Sequence, residues 1–116
     1  VAITTAIANS AKLEFLQGTH LAADTYKILL LKAGAAGTWD KTATNVGTPG
    51  SGAPSTSNVG TDEATGTGYT SGGLTLTGYS AVLTGDTASI DWADAVWSAA
   101  SISADGAIIY NSTRGG

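Results

Sequence analysis

The 40 residues from Gly34 to Gly73 form the stretch hardest to fit into a small fold. Between Trp39 and Tyr69 the chain is almost entirely Gly, Thr, Ser, Ala, Asn and Pro. Proline has no ladder donor, and Gly47, Gly50, Gly52 and Gly60 together with Pro49 and Pro54 leave little continuous strand. Loops beyond about 12 to 15 residues without secondary structure need a physical reason in a compact domain. Two readings follow: a surface loop, or an arm that orders only against a neighbouring molecule. In the second, residues 34–60 reach outward, and Trp39, Val46, Pro49, Pro54, Val59 and Tyr69 are the side chains available for partner contact.

Both flanks carry regular apolar patterns. Residues 4–17 place Ile7, Ala11, Leu13, Phe15 and Leu16 at mixed spacings of three and four, and Gly18 follows as a stop, which predicts one short helix. Thr4 or Thr5 is its cap, and Ile7, Leu13 and Leu16, with Phe15 beside them, are its core contacts. Thr25–Lys32 reads as a strand with Tyr26, Ile28 and Leu30 on one face and Lys27, Leu29 and Leu31 on the other. Both faces are expected to be partly covered, since polar alternation is missing. After Gly73, short strands alternate with turns. Thr84-Gly85-Asp86 suits a hairpin between YSAVL and ASIDW, and Asp105-Gly106 suits a second turn before AIIYN.

Threonine and serine supply 29 residues and glycine 16, which favours strands and turns over long helices. The chain of 116 residues therefore reads as one mainly β domain over 1–116. The fold expected is a small antiparallel β-sandwich or meander with one short N-terminal helix and a long loop or extended arm over 34–73.

Charge and composition exclude several functions. Five Lys and Arg oppose nine Asp and Glu, and Lys12, Lys27, Lys32, Lys41 and Arg114 are scattered, so nucleic acid is not an expected partner. Cysteine is absent, which removes disulfides, thiol catalysis and thiolate metal sites. No run approaches the roughly 18 to 20 apolar residues that span a bilayer, so no membrane partner is expected. The chain reads as soluble and without a secretion signal, and Val1 fits removal of an initiator methionine after cytoplasmic synthesis.

Chemistry-bearing residues are few. His20, the single histidine, reads as a loop or strand-edge residue hydrogen-bonded to backbone. No Gly-x-Ser-x-Gly elbow accompanies it. Asp62 and Glu63, like Asp86, Asp91, Asp94 and Asp105, read as turn formers and solubilising groups. Asp91 and Asp94 around Trp92 lack the further oxygens of a recognised calcium loop. GTGYTSGG at 66–73 precedes a strand and lacks the Gly-Lys-Ser/Thr of a phosphate loop. Trp92 and Trp97 read as buried, with a contact surface or a sugar platform as alternatives. No catalytic, cofactor-binding or metal-ligating residue is assigned, and no enzymatic activity or cofactor is expected.

The order of motifs carries more than any single one. AIANSAKLEFLQGTH, TYKILLLKAG, a variable middle, EATGTGYTSGGLTLTG and IDWADAVWSAASISADGAIIYN together resemble small virion structural proteins of tailed bacteriophages. Glu63–Gly78 and Asp91–Asn111 carry most of the likeness. The resemblance implies a non-enzymatic part of a virus particle located on the capsid surface, a decoration or cement protein. Its partners would be the major capsid protein, copies of itself, or both. A tail, baseplate or fibre component with tail-protein partners is the alternative, and a carbohydrate-binding module a more distant one.

Overall fold

The computed structural model describes residues 2–3, 6–97 and 100–115. The chain is mainly β, with one N-terminal helix, three small antiparallel sheets and no closed barrel. In chain order the elements are β1 (Ala2–Ile3), α1 (Asn9–Leu16), β2 (Tyr26–Lys32), β3 (Thr38–Trp39), β4 (Gly66–Thr67), β5 (Leu74–Thr75), β6 (Ser80–Thr84), β7 (Thr87–Asp91), β8 (Ser101–Ile102) and β9 (Ala104–Asn111). The principal sheet has the order β5-β2-β9, all antiparallel. β4 pairs with β8 and β6 with β7, while β1 and β3 form a short parallel pair.

β2 is the centre of the fold, as its apolar run requires. Leu29 and Leu31 are wholly buried on one face, and Ile108 of β9 stands opposite Leu29. Asp105 and Gly106 do not turn the chain as expected. They belong to β9, where Leu31 pairs with Gly106 and Lys32 with Ala104, so the extra residue is a bulge that ends the ladder. Gly85 and Asp86 do form the expected two-residue turn, with Gly85 at φ +59° joining Thr84 to Thr87.

The Gly/Thr/Ser-rich segment is not an excursion from the core. Ala35, Trp39, Val46 and Val59 bury themselves against Leu29 and Leu31, with Ala43, Ile108 and Tyr110 packed on the cluster. The segment comes back on itself: the Val59 amide donates to the Val46 carbonyl at 2.8 Å, and Asn58 closes the loop between them through bonds to Thr48, Ser51 and Ala53. A few apolar side chains suffice because hydrogen bonds within the loop satisfy its backbone.

The helix departs from expectation in the opposite direction. It spans eight residues, Ala8 precedes it without a side-chain cap, and none of its residues is buried. Thr4 and Thr5 lie outside the described residues. Ile7, Leu13, Phe15 and Leu16 are exposed, Leu16 at 88 per cent. Ile7 precedes the helix, and at 3.6 residues per turn Phe15 points roughly 160° away from Leu13, so only Leu13 and Leu16 share a face, too little for a buried stripe.

Gly73 fixes the join into β5. At φ +83° it lies so close to β2 that a Cβ would run into the Ile28 carbonyl oxygen. Only glycine combines that backbone conformation with that approach.

Candidate interaction surface

Among the described residues, three polar clusters and a large apolar groove are features that chemistry could use. The first cluster is built on Asp62, whose carboxylate is completely buried. It accepts from the amides of Ala36 at 2.8 Å and Gly37 at 2.7 Å and from the Trp39 indole N–H at 2.9 Å. Burial pushes this carboxyl up, but the three donors outweigh it and hold the group below the ordinary aspartate range.

Glu63, the next residue, serves the other end of the segment. Its oxygens accept from Ser71 Oγ at 2.7 Å, the Tyr69 hydroxyl at 2.7 Å and the Gly72 amide at 2.6 Å. The Leu30 amide donates to the same Tyr69 hydroxyl, and burial raises the Tyr69 phenol well above its usual value. These adjacent acids are therefore internal acceptors that fasten residues 36–39 and 69–72 to the sheet, not solubilising turn residues. The signal for them was in the sequence: they are the only charged residues between Lys41 and Asp86.

The third cluster joins the two ends of the chain around His20. Its Nε2 lies 3.1 Å from Glu14 Oε1 and its Nδ1 2.9 Å from Asn111 Nδ2. The Asn111 side-chain oxygen accepts from the Thr113 amide, which turns its NH2 toward His20 and Asp24. With Asn111 donating to Nδ1, the imidazole proton sits on Nε2 and is donated to Glu14. His20 is thus held by side chains instead of the expected backbone partner. No serine or threonine hydroxyl bonds to it among the described residues, so the cluster has an orienting carboxylate and a base but no nucleophile in register.

Asp24 completes this cluster. It accepts from Asn111 Nδ2 at 2.8 Å, the Leu21 amide at 3.0 Å and Arg114 at 3.0 and 3.2 Å. The Asn111 amide, then the Leu21 N–H, with help from Arg114, lower its pKa from 3.8 to about 2. A depressed folded-state pKa stabilises the fold at pH above the unfolded value and loses that contribution as pH falls through the folded one. The wild type should therefore lose thermal midpoint relative to Asp24→Asn between about pH 4 and about pH 2. An acid series of melts in which the gap stays constant over that window would show that Asp24 is not so engaged.

The sequence-derived contact residues divide. Trp39, Val46 and Val59 are buried in the core. They hold the fold together, because the segment folds inward, and are not side chains of an outward-reaching arm. Pro49, Pro54 and Tyr69 are half-buried, and the Tyr69 hydroxyl is engaged with Glu63. Trp92 is half-buried in an aromatic cluster, 5.3 Å between centroids from Tyr26 and 5.8 Å from Tyr79, while Trp97 stacks on Tyr69 at 6.0 Å. Trp97 shares one face with Tyr69, and Trp92 meets Tyr26 at a tilt and Tyr79 edge-on.

What the sequence did not reveal is a groove of about 1350 Å³ along β9. Ile7, Ala11 and Phe15 bound one side and Val82, Leu83 and Ile90 of the β6–β7 hairpin another, with Ala107–Tyr110 between. The hairpin stands away from the body: every residue of β6 is exposed, with Leu83 at 73 per cent. The Tyr26, Tyr79 and Trp92 cluster holds only its base.

Comparison with protein families, with curated proteins and with solved structures returns no match to this chain. No helix among the described residues is long and apolar enough to cross a membrane.

Proposed function

We propose that this protein is a non-enzymatic structural component of a tailed-bacteriophage particle, a decoration or cement protein that binds major capsid subunits, copies of itself, or both. The observation that carries a structural role is the apolar groove, with the helix and hairpin that flank it. A monomeric protein rarely leaves a contiguous apolar surface of this kind uncovered, and such surfaces mark sites of association. The polar groups that could support catalysis are instead bonded to one another within the fold. Asp62 and Glu63 hold the long segment, and Asp24, His20 and Asn111 join the two ends of the chain.

The order of motifs along the chain supports the virion as the assembly. On a capsid lattice one surface meets many equivalent sites, so a small domain with a modest interface gains by repetition. Cryo-electron microscopy of particles bearing the protein tests the reading. Density on the capsid lattice with the helix and hairpin against neighbouring subunits is the expected result. Density confined to the tail moves the protein to a tail role, and its absence from purified particles ends the virion reading. Cementing further requires that particles lacking the protein lose resistance to heat and osmotic shock.

A further inference from the structure

We infer that the free edge of β9 accepts an extended apolar strand from a partner polypeptide, which joins the β5-β2-β9 sheet as a fourth strand and fills the groove. This deepens the assembly reading and rests on it for the source of the strand.

The phase of the ladder shows that the edge is open. The Ser112 amide donates to the Thr25 carbonyl at 2.9 Å, one step beyond the Tyr26–Asn111 pair. On the far edge of β2, the Tyr26 and Leu30 carbonyls accept from Leu76 and Ala64. Antiparallel ladders alternate bonded and unbonded pairs, so Ala107 and Ile109 turn their N–H and C=O groups away from β2. No hydrogen bond among the described residues reaches those groups, and both residues are exposed.

Natural proteins blunt an open edge with lysine, proline or an inward-pointing charge. β9 has neither lysine nor proline. Its one charge, Asp105, sits at the bulge and accepts from the Gly34 amide at 3.1 Å. β9 thus presents an unprotected stretch of edge around Ala107 and Ile109, while β5 covers only two residues of the opposite edge.

The groove determines the chemistry of the occupant. Trp39 and Val46 pack on the face of the sheet that carries Ile108, and the aromatic base of the hairpin lies on the face that carries Tyr26 and Ile109. A strand laid beside β9 would meet apolar side chains on both faces. The volume of about 1350 Å³ exceeds the roughly 300 to 1,000 Å³ of small-molecule sites, and strand addition is the established way for an open edge to take a peptide. Trp92 adds an aromatic side chain to the groove lining.

Charge selects a partner strand over a second copy. Glu14, Asp40 and Asp105 line the groove against Arg114, which is itself paired with Asp24, and the whole chain carries a net charge of −4. Two copies docked edge to edge would bring like charge together. An uncharged strand with basic ends, free of proline, suits the site.

The test uses the isolated protein and a fluorescein-labelled peptide of five valines between lysine pairs, followed by anisotropy and amide hydrogen exchange. Binding should slow exchange at Ala107 and Ile109 by about tenfold or more, while Ile108 and Tyr110, already bonded to β2, change little. The same peptide with proline as its central residue should bind about tenfold more weakly or worse. Ile109→Pro removes an outward N–H and no β2 bond, so it should fold and lose peptide binding, whereas Ile109→Val should keep both. Should Ile109→Pro fail to fold, the proline peptide and the exchange pattern decide the matter.

Three results would overturn the proposal: no binding at millimolar peptide, binding that leaves Ala107 and Ile109 exchange unchanged, or self-association that protects those amides without peptide. The last would make a second copy the occupant. Absence of the protein from virus particles, by contrast, would end the virion reading and leave the acceptor edge as measured.

Discussion

Leu29→Ala should lower the stability of this domain by about 2 to 5 kcal/mol, and Ile109→Ala by less than about 1 kcal/mol. Both are aliphatic residues on neighbouring strands of one sheet, and their sequence surroundings are alike. Leu29 is wholly buried against Leu31, Trp39, Val46, Val59 and Ile108, whereas Ile109 is about half exposed beside the groove. Truncating Leu29 removes its transfer free energy and leaves a cavity whose lining comes from β2, β9 and the 35–59 segment. Those segments are tied to one another by hydrogen bonds, so the cavity cannot readily collapse. For a domain whose total stability is about 5 to 15 kcal/mol, such a loss is a large share. Urea titrations should show the Leu29→Ala midpoint falling with little change in slope. A loss below about 0.5 kcal/mol would mean that the core does not centre on β2.

That contrast also shows what could be read from the chain before its structure. The apolar run of β2 was legible because it is short, dense and bounded by turns, and Gly85-Asp86 was legible because a two-residue hairpin demands such residues. The short helix was legible from its spacing and the Gly18 stop, but its core contacts were not: Ile7 precedes the helix, and Leu13 and Leu16, one turn apart on one face, stay exposed. The 34–73 segment was legible as a long loop, but its share in the core was not, for a deeper reason. Its core residues Trp39, Val46 and Val59 are seven and thirteen positions apart, with no period to expose them. The backbone bond from the Val59 amide to the Val46 carbonyl and the Trp39 indole's bond to the Asp62 carboxylate hold them there, and apolar patterning is blind to such contacts. The His20 cluster joins residues about 90 positions apart. The groove depends on β9 standing at the edge of the sheet, which follows from strand order.

Asp62→Ala should cost about 3 kcal/mol, a large loss for a single side chain in a loop. Among the described residues no cation forms a salt bridge with this carboxylate, and it is held by three N–H donors from residues 36, 37 and 39. Removing it leaves those donors without an acceptor in a largely enclosed site, the costly direction of any hydrogen-bond deletion. Asp62→Asn offers no escape, because its NH2 would face either the Ala36 amide or the Gly37 amide and Trp39 indole, setting donor against donor. Folding holds this carboxyl below its ordinary pKa, so its contribution is present above the unfolded value of 3.8 and fades as pH falls below it. The difference between wild type and Asp62→Ala should therefore narrow in acid, a signature that simple loss of packing at Leu29 would not show.

The two sites are also coupled. Asp62 fixes the residues that carry Ala35 and Trp39 onto Leu29, so a chain already loosened at Asp62 has less left to lose at Leu29. The double variant Leu29→Ala/Asp62→Ala should accordingly fall short of the sum of the single losses by about 0.5 kcal/mol or more. Strict additivity would mean that the 34–73 segment packs on the sheet without help from its buried carboxylate. The Gly/Thr/Ser-rich stretch would then need another explanation for its order.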